Sequence, residues 1–201
     1  MREVKLDSAE MAQRSSPPFR ERFGAVPVLT LSAFLITAKL SCLERSYPTL
    51  LLLLWRNPVA LSHQWWRLLS PLLVQPDPWP QALSVFFLFL VVGILSERLW
   101  TKAAWLSLYL AGGLAGEIAG YMWQPYDAGM SVAGAGLLGG LAAWMISRVP
   151  AWQAKFGGGL ILFGVLVLAL RSDIHGPSIF VGGLIGALMI RFGGHSFIKI
   201  R

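Results

Sequence analysis

The stretch "AGMSVAGAGLLGG", residues 128–140, puts a single serine, Ser131, among glycines and alanines, with no bulky side chain after Val132 until Leu137. It opens a run of apolar and small residues that continues to about residue 147, long enough for one helix to cross the hydrocarbon core of a bilayer. The rest of the composition agrees, since the chain is 55% apolar and only 13% charged, well outside the usual balance of a soluble domain. A membrane protein follows.

Five further runs carry few charges, so spans are expected at about 25–43, 82–96, 103–121, 129–147, 157–171 and 177–192. The architecture predicted is an all-α, six-transmembrane-helix bundle. Its domain, residues 25–193, lies between a tail at 1–24 that ends near Pro17 and Pro18 and a second tail at 194–201. Several spans are short, which calls for local bilayer thinning or burial inside the bundle. The run "YPTLLLLLW" (47–55) is too short to cross and precedes Arg56, Asn57 and Pro58. It therefore belongs to a long interfacial loop between helices 1 and 2, where Trp65 and Trp66 act as interface anchors and Arg67 ties the loop down through backbone carbonyls or headgroups.

The net charge of +7 does not form a basic patch interleaved with aromatics, so no nucleic acid is expected as a partner. The cations sit between apolar runs. With the N-terminus cytoplasmic, Arg2, Lys5, Arg14, Arg20, Arg22, Arg98, Lys102, Arg148, Lys155, Arg191, Lys199 and Arg201 fall inside. Only Arg45, Arg56, Arg67 and Arg171 fall outside. The positive-inside rule selects both termini in the cytoplasm of a multi-pass protein in a cell membrane, such as a bacterial inner membrane. The sole cysteine, Cys42, excludes an intrachain disulfide and any multi-cysteine metal site.

In that topology Ser131 heads the fourth span and His175, in "RSDIHGPSIF", heads the sixth, both in the outer leaflet. Small residues follow each at helical spacing: Ala135, Gly139 and Ala142 after Ser131, and Ser178, Gly182 and Gly186 after His175. Such stripes let two membrane helices pack with close backbones. A lone serine in such a helix is ordinarily a packing residue, and a lone loop histidine is ordinarily solvated. Their shared leaflet and matched stripes favour chemistry between them. His63 and His195 lack that setting and read as structural or solvated. Glu117, inside the third span, requires a partner, a proton or water, and a structural role is preferred for it.

These residues resemble the rhomboid family of intramembrane serine proteases. The motif G-x-S-G-x-x-x-G of that family is similar to Gly129, Ser131 and Gly136 followed by "GLLGG". Its histidine with trailing small residues is similar to His175, Gly182 and Gly186. "WWR" stands at Trp65, Trp66 and Arg67, and "LSERLWTKAAWLSLYLAGGLAG" resembles the connection between the second and third helices, with Glu97 and Arg98. The resemblance implies a Ser131–His175 dyad, in which the histidine takes the serine proton and an acyl-enzyme forms and is hydrolysed. No acidic third member is evident, and this chemistry needs no metal or cofactor. The expected partners are transmembrane or membrane-anchored protein substrates, cleaved near the outer surface, and the bilayer itself.

The sequence departs from the family at Val132, where glycine is usual. The second core helix also lacks the histidine and asparagine that normally serve the oxyanion. With a one-residue gap Gln81 and Val85 stand there, and without it Pro80 and Ser84. The oxyanion candidates are the Ser131 backbone N–H and the Gln81 amide, then Gln75 or Ser84. Pro177 confines His175 to the start of its helix. The alternatives are a catalytically inactive rhomboid-like protein that binds transmembrane segments and a rhombosortase-like processing branch. A transporter is disfavoured by the lack of an inverted repeat.

Overall fold

A computed structural model describes residues 26–193 and 196–199. The expected tail at 1–24 lies outside the described residues, as do residues 194, 195, 200 and 201 of the expected C-terminal tail, His195 among them. Among the described residues the fold is all helical: α1 (Val28–Ser46), α2 (Pro48–Leu54), α3 (Pro58–Leu61), α4 (Trp79–Leu99), α5 (Lys102–Trp123), α6 (Met130–Arg148), α7 (Trp152–Leu170) and α8 (His175–Phe192). Two 3-10 turns, Trp65–Leu68 and Ser70–Leu73, lie between α3 and α4. The segment between α1 and α4 is thus built largely of short helical pieces.

Among the described residues four helices, α4, α6, α7 and α8, are long and apolar enough to cross a membrane. The other two long helices have other compositions. α1 carries Lys39, Glu44 and Arg45, and its buried residues, Thr30, Thr37, Ser41 and Glu44, are all polar. α5 buries Glu117 and several glycines in the middle of the bundle. In contrast α7 buries only Gly158, and its apolar circumference suits a helix surrounded by lipid.

The core is a close triplet of α5, α6 and α8, with α8 packed most extensively on α6. A Cβ on Gly112 of α5 would sit 2.5 Å from Gly136 Cα, and one on Gly136 would sit 2.5 Å from Leu108 O. From α8, a Cβ on Gly182 would collide with the Gly136 carbonyl oxygen, and one on Gly139 of α6 with that of Ile179. Gly186 meets Gly140 Cα at 3.0 Å in the same sense. Helix axes this close are available only where side chains are absent. Ser178 Oγ lies 2.8 Å from Gly112 O and 2.5 Å from Val132 O, so one hydroxyl proton is shared between two neighbouring helices.

Glu97, at the end of α4, fixes α1. Its carboxylate accepts from Leu29 N (3.0 Å), Thr30 N (2.8 Å) and Thr30 Oγ1 (2.8 Å). These donors belong to the first turn of α1, where backbone N–H groups lack helical partners and the dipole favours an anion.

Candidate active site

The start of α6 is clamped by the loop that precedes α4. Gly129 N donates to Pro71 O at 3.0 Å and Met130 N to Val74 O at 3.1 Å. Gly129 is extended (φ −179°), a conformation open to any residue, so space rather than backbone angle calls for glycine there. A Cβ on it would press on Ser131 Oγ at 3.1 Å and lie 3.6 Å from Gln75 Oε1. Ser131 is the second residue of α6, so its N–H precedes the helical ladder. Val132, in place of the family's glycine, is buried against Gly116 of α5, which leaves room for its methyl groups.

The start of α8 is set by the end of α7. Asp173 N donates to Leu168 O at 2.9 Å and Ser172 N to Ala169 O at 3.0 Å, with Ser172 in the left-handed region at φ 52°. This paired closure turns the chain sharply out of α7. The turn delivers Asp173 beneath the first residue of α8. Asp173 Oδ1 accepts from His175 N at 2.9 Å and lies 2.6 Å from His175 Nδ1. His175 Nε2 lies 2.9 Å from Ser131 Oγ.

A carboxylate only accepts, so Nδ1 carries the proton when the ring is neutral. Nε2 is then a lone pair facing the serine hydroxyl. The ring and the carboxylate are each about one-third exposed. Burial pushes the Asp173 carboxyl up, but the hydrogen bonds from the His175 N–H and ring and the attraction of the imidazole outweigh it, leaving the carboxyl below its ordinary range. Asp173 was missed in the sequence, where it reads as one more loop charge.

Ser131 and His175 open onto a cavity of about 440 Å³ between α4, α6, α7 and α8. Gln75, Gln81 and Val85 line it from the α4 side. Gln81 is exposed. Gln75 is buried, with its N–H donating to Ser41 Oγ at 2.9 Å and its Nε2 to Asp77 Oδ2, while its Oε1 has no partner. Ser84 Oγ donates within its own helix to Pro80 O at 3.0 Å. His63 is exposed.

Glu117 does not line this cavity. It is fully buried and pairs at 2.8 Å with the equally buried Arg56, whose Nε donates to Gln124 O at 3.0 Å and whose Nη2 lies 3.5 Å from Asp127 Oδ2. Arg56 N also donates to Asp127 O at 2.9 Å. The pair therefore ties the segment after α2 to α5 and to the approach to Ser131. Arg67 reinforces it, donating to Trp55 O at 2.8 Å, while Trp65 and Trp66 remain exposed. Glu117→Ala strands a buried guanidinium and is expected to cost about 3 kcal/mol in thermal unfolding. Glu117→Ala with Arg56→Met should recover part of that loss. A single variant as stable as wild type would assign the pair no structural weight.

Residues 62–196 match the family model for the rhomboid domain, and the chain belongs to the rhomboid family. It is 31% identical over 138 residues to Rhomboid protease GluP of Bacillus subtilis (strain 168), a match covering 65% of this chain and 26% of that protein. It is 28% identical over 159 residues to Putative rhomboid protease YdcA of the same strain, covering 73% of this chain and 79% of that protein. The chain thus matches about a quarter of the length of GluP and most of YdcA. No solved structure matches. With four membrane-spanning candidates in a rhomboid fold, this is a multi-pass membrane protein.

Proposed function

We propose that this rhomboid-family chain is an intramembrane serine protease that cleaves transmembrane or membrane-anchored proteins near the outer membrane surface. The observation that carries the reading is the 2.9 Å approach of His175 Nε2 to Ser131 Oγ at the wall of the cavity. The names of the two relatives, Rhomboid protease GluP and Putative rhomboid protease YdcA, point the same way. α1 and α5 complete six crossings, with both termini cytoplasmic and the cavity opening outward.

His175 Nε2 takes the hydroxyl proton as Ser131 Oγ attacks the scissile carbonyl. The proton passes to the leaving amine, and the acyl group remains as an ester on Oγ. Water then gives its proton to Nε2 and attacks the ester, and the proton returns to Ser131. Both residues stand at helix N-termini, whose positive ends favour the oxyanion.

The Ser131 N–H supplies one oxyanion donor and the Gln81 amide the other. Gln81→Ala is expected to lower turnover about a hundredfold, with the melting temperature unchanged because that side chain is exposed. An unchanged rate would move the donor to Gln75. One observation favours a second reading, a non-proteolytic protein that binds transmembrane segments: with a one-residue gap Gln81 and Val85, and without it Pro80 and Ser84, stand where the family carries histidine and asparagine.

Labelling of the detergent-purified protein with a fluorophosphonate separates the two readings. The protease reading requires a signal that Ser131→Ala removes. No signal, or equal signal in both proteins, would overturn it in favour of binding without cleavage.

A further inference from the structure

We propose that Asp173 is a positioning residue that turns the Ser131–His175 pair into a triad, orienting the imidazole and holding its proton on Nδ1. This rests on the reading of Ser131 and His175 as the reacting pair. The geometry is specific. One oxygen, Asp173 Oδ1, meets both the backbone N–H of His175 at 2.9 Å and its ring Nδ1 at 2.6 Å. Main chain and ring are thus tied to the same atom, and the imidazole plane is fixed relative to the first turn of α8.

The backbone of Asp173 is itself held on both sides. Asp173 N donates to Leu168 O, and Asp173 O accepts from Gly176 N at 3.1 Å. The turn from α7 and the start of α8 therefore share this residue, and Ser172 accepts a left-handed backbone to place it. Strain of that kind in a non-glycine residue persists only where its surroundings impose it.

Electrostatics give Asp173 a second task. The positive end of α8 disfavours an imidazolium at its first residue, yet general-base catalysis must form one transiently. A carboxylate at 2.6 Å offsets that field. The other charged groups around His175 are otherwise engaged or distant. From the α4 side and the segment before α6, Asp77 and Asp127 line the cavity, the first bonded by Gln75 Nε2 and the second beside Arg56. On α5, Glu117 is paired with Arg56. Lys155 of α7 and Arg148 of α6 belong to the opposite ends of their helices, and Arg171 in the turn is exposed.

Asp173 lies one residue before the N-cap, Ile174, and also accepts from the first N–H of α8, and the test separates that role from the charge. An asparagine side chain caps a helix as well as an aspartate does and offers an Oδ1 in the same place. Asp173→Asn should therefore leave the melting temperature unchanged, lower kcat about tenfold to a hundredfold, and leave KM within about twofold, less than the ~10⁴-fold seen for a fully buried triad aspartate because solvent reaches this one. Losing the carboxylate makes the imidazole harder to protonate. The acid limb of the rate profile should therefore move to lower pH.

The readouts are cleavage of a model transmembrane substrate and the rate of fluorophosphonate labelling of Ser131, each measured against pH for wild type, Asp173→Asn and Asp173→Ala. Asp173→Ala should lose more activity than Asp173→Asn and some stability as well. Wild-type labelling with an unmoved acid limb and an undiminished rate in Asp173→Asn would overturn the triad while leaving the pair intact. Loss of activity that follows only the melting temperature, with no displacement of the limb, would reduce Asp173 to a structural acceptor for the first N–H of α8. Absence of Ser131 labelling in the wild type would instead overturn the protease reading, and the triad with it.

Discussion

Ser131→Ala and His175→Ala are each expected to lower turnover by about a million-fold, and the double variant should be little worse than either. The members of such a unit act on one proton and one bond, so removing the first removes the use of the second. In this chain the interdependence is geometric. In the proposed mechanism the Ser131 hydroxyl gives its proton to the Nε2 lone pair 2.9 Å away, and His175 hands that same proton to the leaving amine. Neither change should unfold the protein, because both side chains are only partly buried and the backbone clamps at Gly129 and Met130 are unaffected. Comparable losses in the single variants that multiply in the double would show two independent contributions. A His175→Ala protein that cleaves at the wild-type rate would remove the base from the mechanism.

The sequence made the membrane-crossing elements legible because a bilayer imposes a length and a composition on any chain that crosses it. α4, α6, α7 and α8 are read directly from apolar runs. The ends were less legible. α1 continues to Ser46 through Glu44 and Arg45, where charge suggested a stop near residue 43, because Glu44 is buried against the protein and the exposed Arg45 donates to Asp77 O at 2.6 Å. The short helices between residues 48 and 73 carry no periodic signal of their own.

Within the site, Ser131 and His175 stand out as reactive side chains heading two small-residue stripes. Asp173 does not, since residues two apart do not face each other on a helix. Only the sharp turn through Ser172 folds its carboxylate onto the ring. Glu117 announced that it needed a partner, but nothing at 61 positions' remove marked Arg56 as that partner. Pairings of this kind arise from the tertiary fold and leave no local pattern in the chain.

Gly182→Leu is expected to destabilise the protein by more than about 4 kcal/mol and to remove its activity in the same step. Overpacking a core usually costs about 1–3 kcal/mol because neighbouring side chains can yield. Here the neighbour is main chain. The first carbon added to Gly182 meets the Gly136 carbonyl group, with Gly136 C at 2.7 Å and Cα at 2.9 Å. α6 has little room to retreat, because Gly136 also rests against Gly112 and Leu108 of α5. α8 must therefore move outward. That displacement pulls Ser178 from the carbonyls of Gly112 and Val132 and draws His175, about two turns up the same helix, away from Ser131. A shift of about 1 Å takes a contact of this length beyond hydrogen-bonding range, so stability and catalysis should fall together. Gly164→Leu is the control, since nothing lies within 4 Å of a Cβ at that position on α7, and it should leave melting temperature and turnover as they are. A Gly182→Leu protein that melts with the wild type would mean that α6 and α8 do not meet back to back at this level.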